Sequence, residues 1–250
     1  MEHCDLKGVI FDVDGTLVDS ERDGHRVAFN LAFEELGLPY RWDPELYGEL
    51  LAITGGQQRL HAYLEREGVP QELRDDQVPK LHRRKTELFQ ELVAGGRVLA
   101  RPGAERLLGE VAEAGIPIAV ATTGTRAWVE PLLDRLFGLD RFGVVITGDE
   151  APVRKPDPSA YFVTLQEMGL DPPGVVAIED SRNGLEAARA AGLSCAVVAN
   201  DYTRDQHFDG AAVVLDRFGS PEDPAAVLLD PEGLAPPGQL DLPTLRRIVR

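Results

Sequence analysis

Residues 9–17 read VIFDVDGTL, an uninterrupted apolar run that passes directly into two carboxylates, Asp12 and Asp14. Apolar runs without alternation are typical of strands buried on both faces of a parallel sheet. Ligands of such sheets bind beyond the carboxyl ends of the strands. We therefore predict a buried strand at 8–11 and a functional role for the two carboxylates that follow it. Taken alone, the pair Asp14-Gly15 is equally typical of a simple turn.

Five further apolar runs predict strands at 116–121, 143–147, 175–178, 194–198 and 212–215. Helical patterns separate most of them, notably at 104–114, 159–168 and 184–191. Strands that alternate with helices in this way are typical of βαβ units. We therefore predict an α/β fold whose core is a doubly wound, Rossmann-like parallel sheet with helices on both faces.

The first two predicted strands are separated by about a hundred residues, far more than an ordinary crossover connection needs. The patterns within this gap are helical, at 21–36, 44–51, 57–67 and 79–93. We therefore predict a helical cap domain, residues 20–97, inserted into a core made of residues 1–19 and 98–220. Residues 221–250 are rich in proline and predict an extended tail on the core, ending in a short helix after Asp241.

The chain has 250 residues and a formal net charge of -16. This charge argues against nucleic acid or a membrane surface as a partner, and an anionic substrate would need a locally positive pocket. The apolar runs are too short to span a membrane, and the first residues lack the pattern of a signal peptide. Cys4 and Cys195 have no metal-ligand spacing and fit reduced thiols. We expect a cytoplasmic monomer.

Polar residues also follow three other predicted strands. They are Thr122 and Thr123 after the second strand, Lys155 beyond the third, and Glu179 and Asp180 after the fourth. Side chains at these positions would converge on one edge of the sheet.

Convergence of several acids on one crevice indicates a metal site. Carboxylates this close repel one another and raise each other's pKa, whereas Mg²⁺ binds hard oxygen ligands and leaves room for a phosphate. The pattern predicts a Mg²⁺ site where ionised Asp12 attacks phosphorus. Thr122 would donate its hydroxyl to a phosphate oxygen. Lys155 would add positive charge, with its backbone restricted by Pro156.

The order of these motifs, DVDGT at 12–16, Thr122, Lys155-Pro156 and Glu179-Asp180, resembles the haloacid dehalogenase (HAD) superfamily. The resemblance implies that Asp12 is the nucleophile and that Asp14 is the general acid and base. It also implies metal ligands: a carboxylate oxygen of Asp12, the backbone carbonyl of Asp14, and the acidic pair. An acid at the second position is characteristic of the phosphotransferase branch, so we expect a phosphoric monoester hydrolase and not a dehalogenase.

Two polar residues continue the apolar face of the first predicted cap helix. Glu21 and His25 recur at helical spacing with Phe29 and Leu36. This placement favours a role in a cleft beside the core. The alternative is that His25 is half-buried with its hydrogen bonds satisfied, and that Glu21 is a carboxylate of the first helical turn, favoured by the helix dipole.

Lys85 falls on the helix face shared by Leu81, Leu88 and Leu92. Such a lysine usually snorkels to solvent, but it could also point into a cleft between cap and core. Arg59 is a second candidate for binding an anionic group, with an exposed surface arginine as the alternative.

The amino-acid sequence of the predicted cap resembles that of the CbbY-type sugar-phosphate phosphatases, which are relatives of β-phosphoglucomutase. The resembling stretches are ERDGHRVAFN at 21–30, WDPELYGELL at 42–51, TGGQQR at 54–59 and LHRRKTELF at 81–89. The resemblance implies that xylulose 1,5-bisphosphate is hydrolysed, with substrate contacts from Glu21, His25, Tyr47, Gly56, Arg59 and Lys85; Thr123 is a further candidate on the core.

Two features depart from the family pattern. Pro131 predicts that the helix after Thr122 starts late or kinks. Gly124 stands where relatives often carry a polar residue. Both features bear on the identity of the substrate more than on the chemistry.

We expect a Mg²⁺-dependent phosphatase that acts on a small sugar bisphosphate through an aspartyl-phosphate. A phosphosugar mutase like β-phosphoglucomutase is the first alternative, because Asp14 and His25 belong both to the resemblance to the phosphatases and to the resemblance to the mutase. A non-catalytic signalling domain that accepts phosphate on an aspartate is the second. Such receiver domains share the acidic cluster but have no long insertion after the first strand.

Overall fold

The computed structural model describes residues 5–53, 55–151, 153–231, 233–234 and 238–249. These residues form two compact units. The sheet unit contains the described residues of Met1–Asp19 and Leu99–Arg250, and the helical unit is Ser20–Val98. That the helical unit acts as a cap stays a prediction.

The sheet unit is built on a seven-stranded sheet in the order β3-β2-β1-β4-β5-β6-β7. The strands are β1 (Gly8–Phe11), β2 (Ile118–Ala121), β3 (Val144–Ile146), β4 (Val175–Glu179), β5 (Ser194–Val198), β6 (Val213–Leu215) and β7 (Val227–Leu229). The first six pair in parallel, and β7 pairs antiparallel with β6. The predicted α/β fold with a Rossmann-like parallel sheet is confirmed.

Nine α-helices lie in the described part of the chain. They are α1 (Arg26–Glu35), α2 (Pro44–Leu50), α3 (Gly56–Arg66), α4 (Gln71–Ala94), α5 (Ala104–Glu113), α6 (Arg126–Phe137), α7 (Ser159–Met168), α8 (Arg182–Ala190) and α9 (Leu242–Ile248). A π-helical turn, Glu21–His25, leads directly into α1, and a short 3₁₀ turn, Leu139–Arg141, follows α6. The described residues include no helix that is long and apolar enough to cross a membrane.

Two helices contain the prolines that suggested boundaries. Helix α4 begins at Gln71 and passes through Pro79, so the predicted start at 79 was wrong. Helix α6 begins at Arg126 and contains Pro131 in its interior. A proline removes one helical hydrogen bond, but burial of the apolar face on either side of it compensates for that loss. The tail contributes strand β7, which is an extended element, and α9 begins directly after Asp241, where the sequence predicts a short helix.

Apolar side chains fill both units. In the sheet unit, one cluster joins residues of the central strands to α7 and α8, including Ile10, Ala177 and Leu165. In the helical unit, aromatic rings pack together, with the centroids of Phe29 and Trp42 4.6 Å apart.

Candidate active site

The register of the sheet brings acids from two strands together. Phe11 of β1 pairs with Ile178 of β4, so the next residues, Asp12 and Glu179, emerge side by side at the carboxyl edge. The backbone N–H of Asp12 donates to the carbonyl of Ile178 at 3.0 Å. The topology also reverses direction at this point, since β2 and β3 lie on one side of β1 and β4 to β6 on the other. Such a switch point is the usual ligand site of a doubly wound sheet.

Lys155 joins these two acids. Its ammonium donates to Oδ1 of Asp12 at 2.8 Å, to Oε1 of Glu179 at 2.6 Å and to the carbonyl of Ala121 at 2.9 Å. All three residues with charged side chains are buried. Although burial alone would lower the pKa of Lys155, the carboxylates of Asp12 and Glu179 raise it. The peptide bond between Lys155 and Pro156 is cis.

Three carboxylates lie close together beside Lys155, and the charge of Arg101 also acts on Asp180. Ligand oxygens of Asp12, Glu179 and Asp180 all lie within 4.8 Å of one another. Burial raises the pKa of Glu179 to about 7, against the opposing effect of Lys155. Burial, followed by the neighbouring carboxylates of Asp12 and Glu179, raises the pKa of Asp180 well above its ordinary value. Burial also raises the pKa of Asp12. A divalent cation bound by oxygen ligands fits this donor set.

The carboxylate of Asp180 is held by side chains from other segments. Asn200, just beyond β5, donates from Nδ2 to Oδ2 of Asp180 at 2.7 Å and to the carbonyl of Gly15 at 3.3 Å. Thr16 donates its hydroxyl to Oδ1 of Asp180 at 3.5 Å. Gly15 has a φ of 81°, and a Cβ there would collide with Asp180. A glycine is therefore required by both backbone conformation and close approach.

Asp14 lies on the turn that Gly15 makes. It is half-buried and forms an isolated bridge with Val18. The N–H of Gly15 donates to the carbonyl of Val18 at 2.9 Å. The group of three clustered carboxylates does not include the side chain of Asp14, although the charge of Asp14 contributes to the raised pKa of Asp12.

Thr122 and Thr123 follow β2 at the same edge of the sheet. Thr122 is buried, and its Oγ1 accepts from the N–H of Gly124 at 3.1 Å. Thr123 is half-buried. A Cβ on Gly124 would collide with the ring of Trp128, so the indole accounts for the glycine at this position.

The helical unit holds a second polar cluster. The hydroxyl of Tyr47 donates to Oε2 of Glu21 at 2.5 Å and accepts from Nη1 of Arg59 at 3.1 Å. Arg59 also donates from Nε to the carbonyl of Leu50 at 3.1 Å. Arg59 is buried, which excludes the interpretation as an ordinary surface arginine.

His25 and Lys85 form the other half of this cluster. Nζ of Lys85 lies 2.9 Å from Nδ1 of His25 and 4.9 Å from the centroid of the Phe29 ring. Lys85 is only 8% exposed, so it does not snorkel to solvent. Burial, and then the charge of Lys85, lower the pKa of His25 to about 3. His25 is therefore neutral near pH 7, and its ring packs on Phe89 at 3.8 Å between centroids.

Gly56 lies at the first position of α3 beside His82. A Cβ on Gly56 would approach Nε2 of His82 to 2.8 Å. The structure thus links Glu21, Tyr47 and Arg59 by hydrogen bonds and places Lys85 against His25 in the same unit. Gly56 begins α3, the helix that also carries Arg59. Their roles toward a substrate stay predictions.

Three residues that lie near the clustered carboxylates were not predicted from the sequence, namely Asn200, Tyr161 and Arg101. Asn200 follows a strand end like the predicted residues, so the same reasoning could have found it. Tyr161 donates its hydroxyl to Oε1 of Glu179 at 2.6 Å. Arg101 donates to the carbonyls of Gly15, Val198 and Ala199 at 2.6 to 2.7 Å. No sequence pattern marks Tyr161 or Arg101, since their partners are distant along the chain.

A buried centre of carboxylates and lysine at the carboxyl edge of a doubly wound sheet defines a Rossmann-like enzyme. A protein-family model described as haloacid dehalogenase-like hydrolase matches residues 6–192. The chain belongs to the haloacid dehalogenase-like hydrolase family.

Relatives narrow the class. Protein CbbY of Cereibacter sphaeroides is 43% identical over 217 residues, which cover 85% of this chain and 93% of that protein. A phosphoglycolate phosphatase of Escherichia coli K12 is 29% identical over 219 residues, covering 82% and 86% of the two chains. A crystal structure of a CbbY variant from Rhodobacter sphaeroides, in complex with xylulose-(1,5)bisphosphate, is similar with a TM-score of 0.73 and 40% identity, covering 85% of this chain and 94% of that one. The predicted enzyme class, a phosphatase of this family related to CbbY, is confirmed.

Proposed function

We propose that this chain is a Mg²⁺-dependent phosphatase of a small sugar bisphosphate such as xylulose 1,5-bisphosphate, acting through a phosphorylated Asp12. The observation that carries the proposal is the bridging of Asp12 and Glu179 by Lys155 beside Asp180. The likeness to a CbbY structure containing xylulose-(1,5)bisphosphate supports the choice of substrate.

The donor set fits Mg²⁺. Asp12, Glu179 and Asp180 would hold the ion through carboxylate oxygens, together with the backbone carbonyl of Asp14. When bound, Mg²⁺ would offset the negative charge of these carboxylates and of an incoming phosphate. The raised pKa of Asp180 in the metal-free protein supports this assignment, because it reflects acids that are crowded without enough positive charge.

In the first step, a carboxylate oxygen of Asp12 attacks phosphorus. The new bond joins this oxygen to phosphorus while the bond between phosphorus and the sugar oxygen breaks. Lys155 holds Asp12 in place through Oδ1 and adds a positive charge at the reacting centre. Thr122 supplies a hydroxyl at the adjacent strand end.

Asp14 transfers the proton as general acid and then as general base. Its carboxylic acid protonates the leaving sugar oxygen, and the resulting carboxylate then removes a proton from the water that attacks the phosphorylated Asp12. Release of phosphate restores Asp12 as a carboxylate and Asp14 as an acid. Gly15, with its positive φ, turns the chain directly after Asp14.

The helical unit would bind the rest of the substrate. Lys85 and Arg59 are buried cations suited to a second phosphate. Glu21 and Tyr47 can accept or donate hydrogen bonds to sugar hydroxyls. His25, which is neutral at pH 7, offers a further uncharged polar group.

The direct test is phosphate release from sugar mono- and bisphosphates in Mg²⁺, with xylulose 1,5-bisphosphate among them. We expect a strong preference for the bisphosphate, and we expect Asp12→Asn to abolish turnover while the protein stays folded. Turnover retained in Asp12→Asn would rule out the mechanism. Isomerised sugar phosphate in place of free phosphate would identify a mutase instead.

The substrate assignment is tested separately at Lys85. We expect Lys85→Met to lower kcat/KM for the bisphosphate by about 100-fold while activity on a monophosphate falls much less, because a buried charged contact is lost. Lys80→Met is a matched control on the same helix, since Lys80 pairs with Asp76 at the surface. Equal losses on both substrates would contradict a role for Lys85 in binding the second phosphate.

A further inference from the structure

Tyr161 contacts both partners of the buried ion pair between Lys155 and Glu179. Its hydroxyl donates to Oε1 of Glu179 at 2.6 Å. Its ring centroid lies 5.0 Å from Nζ of Lys155. Tyr161 therefore donates a hydrogen bond to the carboxylate of Glu179 and places the face of its ring against the ammonium of Lys155.

Tyr161 stands on a rigid element. It is the third residue of α7, is fully buried and belongs to the apolar cluster that joins this helix to the central strands. Lys155 lies shortly before the same helix. The hydroxyl is therefore aimed at Glu179 by packing and not by a flexible loop, which is the arrangement that positions reactive groups well.

The other side of Glu179 is also closed. Its carboxylate occupies the space beside Gly184 in α8, where a Cβ would collide with it. The N–H of Asp180 approaches Oε2 at 3.4 Å. Oε1 thus receives two short hydrogen bonds, from Lys155 and Tyr161, whereas the contact to Oε2 among the described residues is the longer one from Asp180.

We propose that Tyr161 is a positioning residue that holds the carboxylate of Glu179 in place for the divalent cation. The hydroxyl fixes the rotation of the carboxylate, and the ring keeps the ammonium of Lys155 between Glu179 and Asp12. Outer hydrogen bonds of this kind orient metal-binding carboxylates, and their loss typically lowers metal affinity 10- to 100-fold. The role rests on the proposed Mg²⁺-dependent function, but its test does not depend on turnover.

The variant Tyr161→Phe removes the hydroxyl and keeps the ring. Calorimetric titration of the substrate-free protein with Mg²⁺ should show a Kd that rises about 10-fold. The KM for substrate at saturating Mg²⁺ should stay unchanged, because the hydroxyl of Tyr161 is buried and donates to Glu179. Tyr63→Phe, a buried tyrosine of the helical unit, should leave the Mg²⁺ affinity unchanged.

A double-mutant cycle separates positioning from a general effect on packing. If Tyr161 acts through Glu179, then adding Tyr161→Phe to Glu179→Gln should change the Kd for Mg²⁺ less than twofold. Independent effects of the two substitutions, or an unchanged Kd in Tyr161→Phe, would overturn the inference. If the parent is active and Tyr161→Phe binds Mg²⁺ with the same Kd as the parent, only this inference is contradicted. A parent that binds Mg²⁺ but hydrolyses no sugar phosphate contradicts the proposed function alone.

Discussion

Nη1 of Arg101 donates to the carbonyl oxygen of Gly15 at 2.6 Å, across 86 positions of the chain. The same guanidinium donates to the carbonyls of Val198 and Ala199, at the end of β5. Gly15 also accepts from Asn200, which in turn donates to Asp180. Arg101 therefore connects the turn at Gly15 to the end of β5. The next residue after that contact, Asn200, donates to the carboxylate of Asp180.

Replacing Arg101 should destabilise the sheet unit. In Arg101→Met, buried carbonyl oxygens lose their charged donor, and we expect the free energy of unfolding to fall by about 2–4 kcal/mol. Denaturant unfolding of the parent and the variant measures this loss. Arg182→Met is the matched control, because Arg182 forms an exposed pair with Glu186 and its removal should leave the unfolding midpoint nearly unchanged. Equal midpoints for the parent and Arg101→Met would contradict the role given to Arg101.

Gly15→Ala should combine backbone strain with displacement of Asp180. A positive φ costs an alanine about 1–2 kcal/mol, and the added Cβ also meets the carboxylate of Asp180. Gly115→Ala is the matched control, since Gly115 has a φ of 69° and nothing within 4 Å of the added Cβ. We expect both variants to unfold at lower denaturant concentration. Only Gly15→Ala should lose Mg²⁺ affinity in a calorimetric titration, and equal affinities in the two variants would contradict the steric argument.

The strand-end acids could be predicted from sequence because local apolar runs define each strand, and parallel pairing brings strand ends to one edge. Asp12 and Glu179 illustrate this, since their positions follow from where β1 and β4 end. Arg101 and Tyr161 could not be predicted, because each depends on partners that only the folded chain brings near. The helix through Pro79 shows the same limit, since burial of a helix face outweighs a local breaking signal.

Asp180→Asn should have opposite effects without and with Mg²⁺. The raised pKa of Asp180 means that the metal-free folded state binds a proton more tightly than the unfolded chain does, so stability falls as the pH rises above 3.8. Removing this carboxylate should therefore stabilise the metal-free protein at pH 7. In the parent, Mg²⁺ at 100 times its Kd should add about 2.7 kcal/mol of stability.

Most of this Mg²⁺-dependent gain should be lost in Asp180→Asn, because a metal ligand is missing. Thermal unfolding with and without the ion measures both effects. Asp171→Asn, at an exposed position, should keep the full response to Mg²⁺. A stability gain in Asp180→Asn that equals the parent's would show that Asp180 does not bind the ion.

His25 should make the stability of the helical unit depend on pH. Its pKa is about 3 in the folded protein against 6.5 ordinarily, so between these values the unfolded chain binds a proton that the folded protein does not. Stability is therefore fully present above pH 6.5 and falls as the pH drops toward 3, by up to about 1.4 kcal/mol per pH unit. His25→Gln should remove this contribution, which is measured as the difference between the pH profiles of the two proteins in denaturant unfolding. Lys85→Met should raise the pKa of His25 in an NMR titration, because the positive charge beside Nδ1 is gone, although burial still holds it below 6.5. Identical pH profiles for the parent and His25→Gln would show that the histidine is protonated in the folded protein over this range.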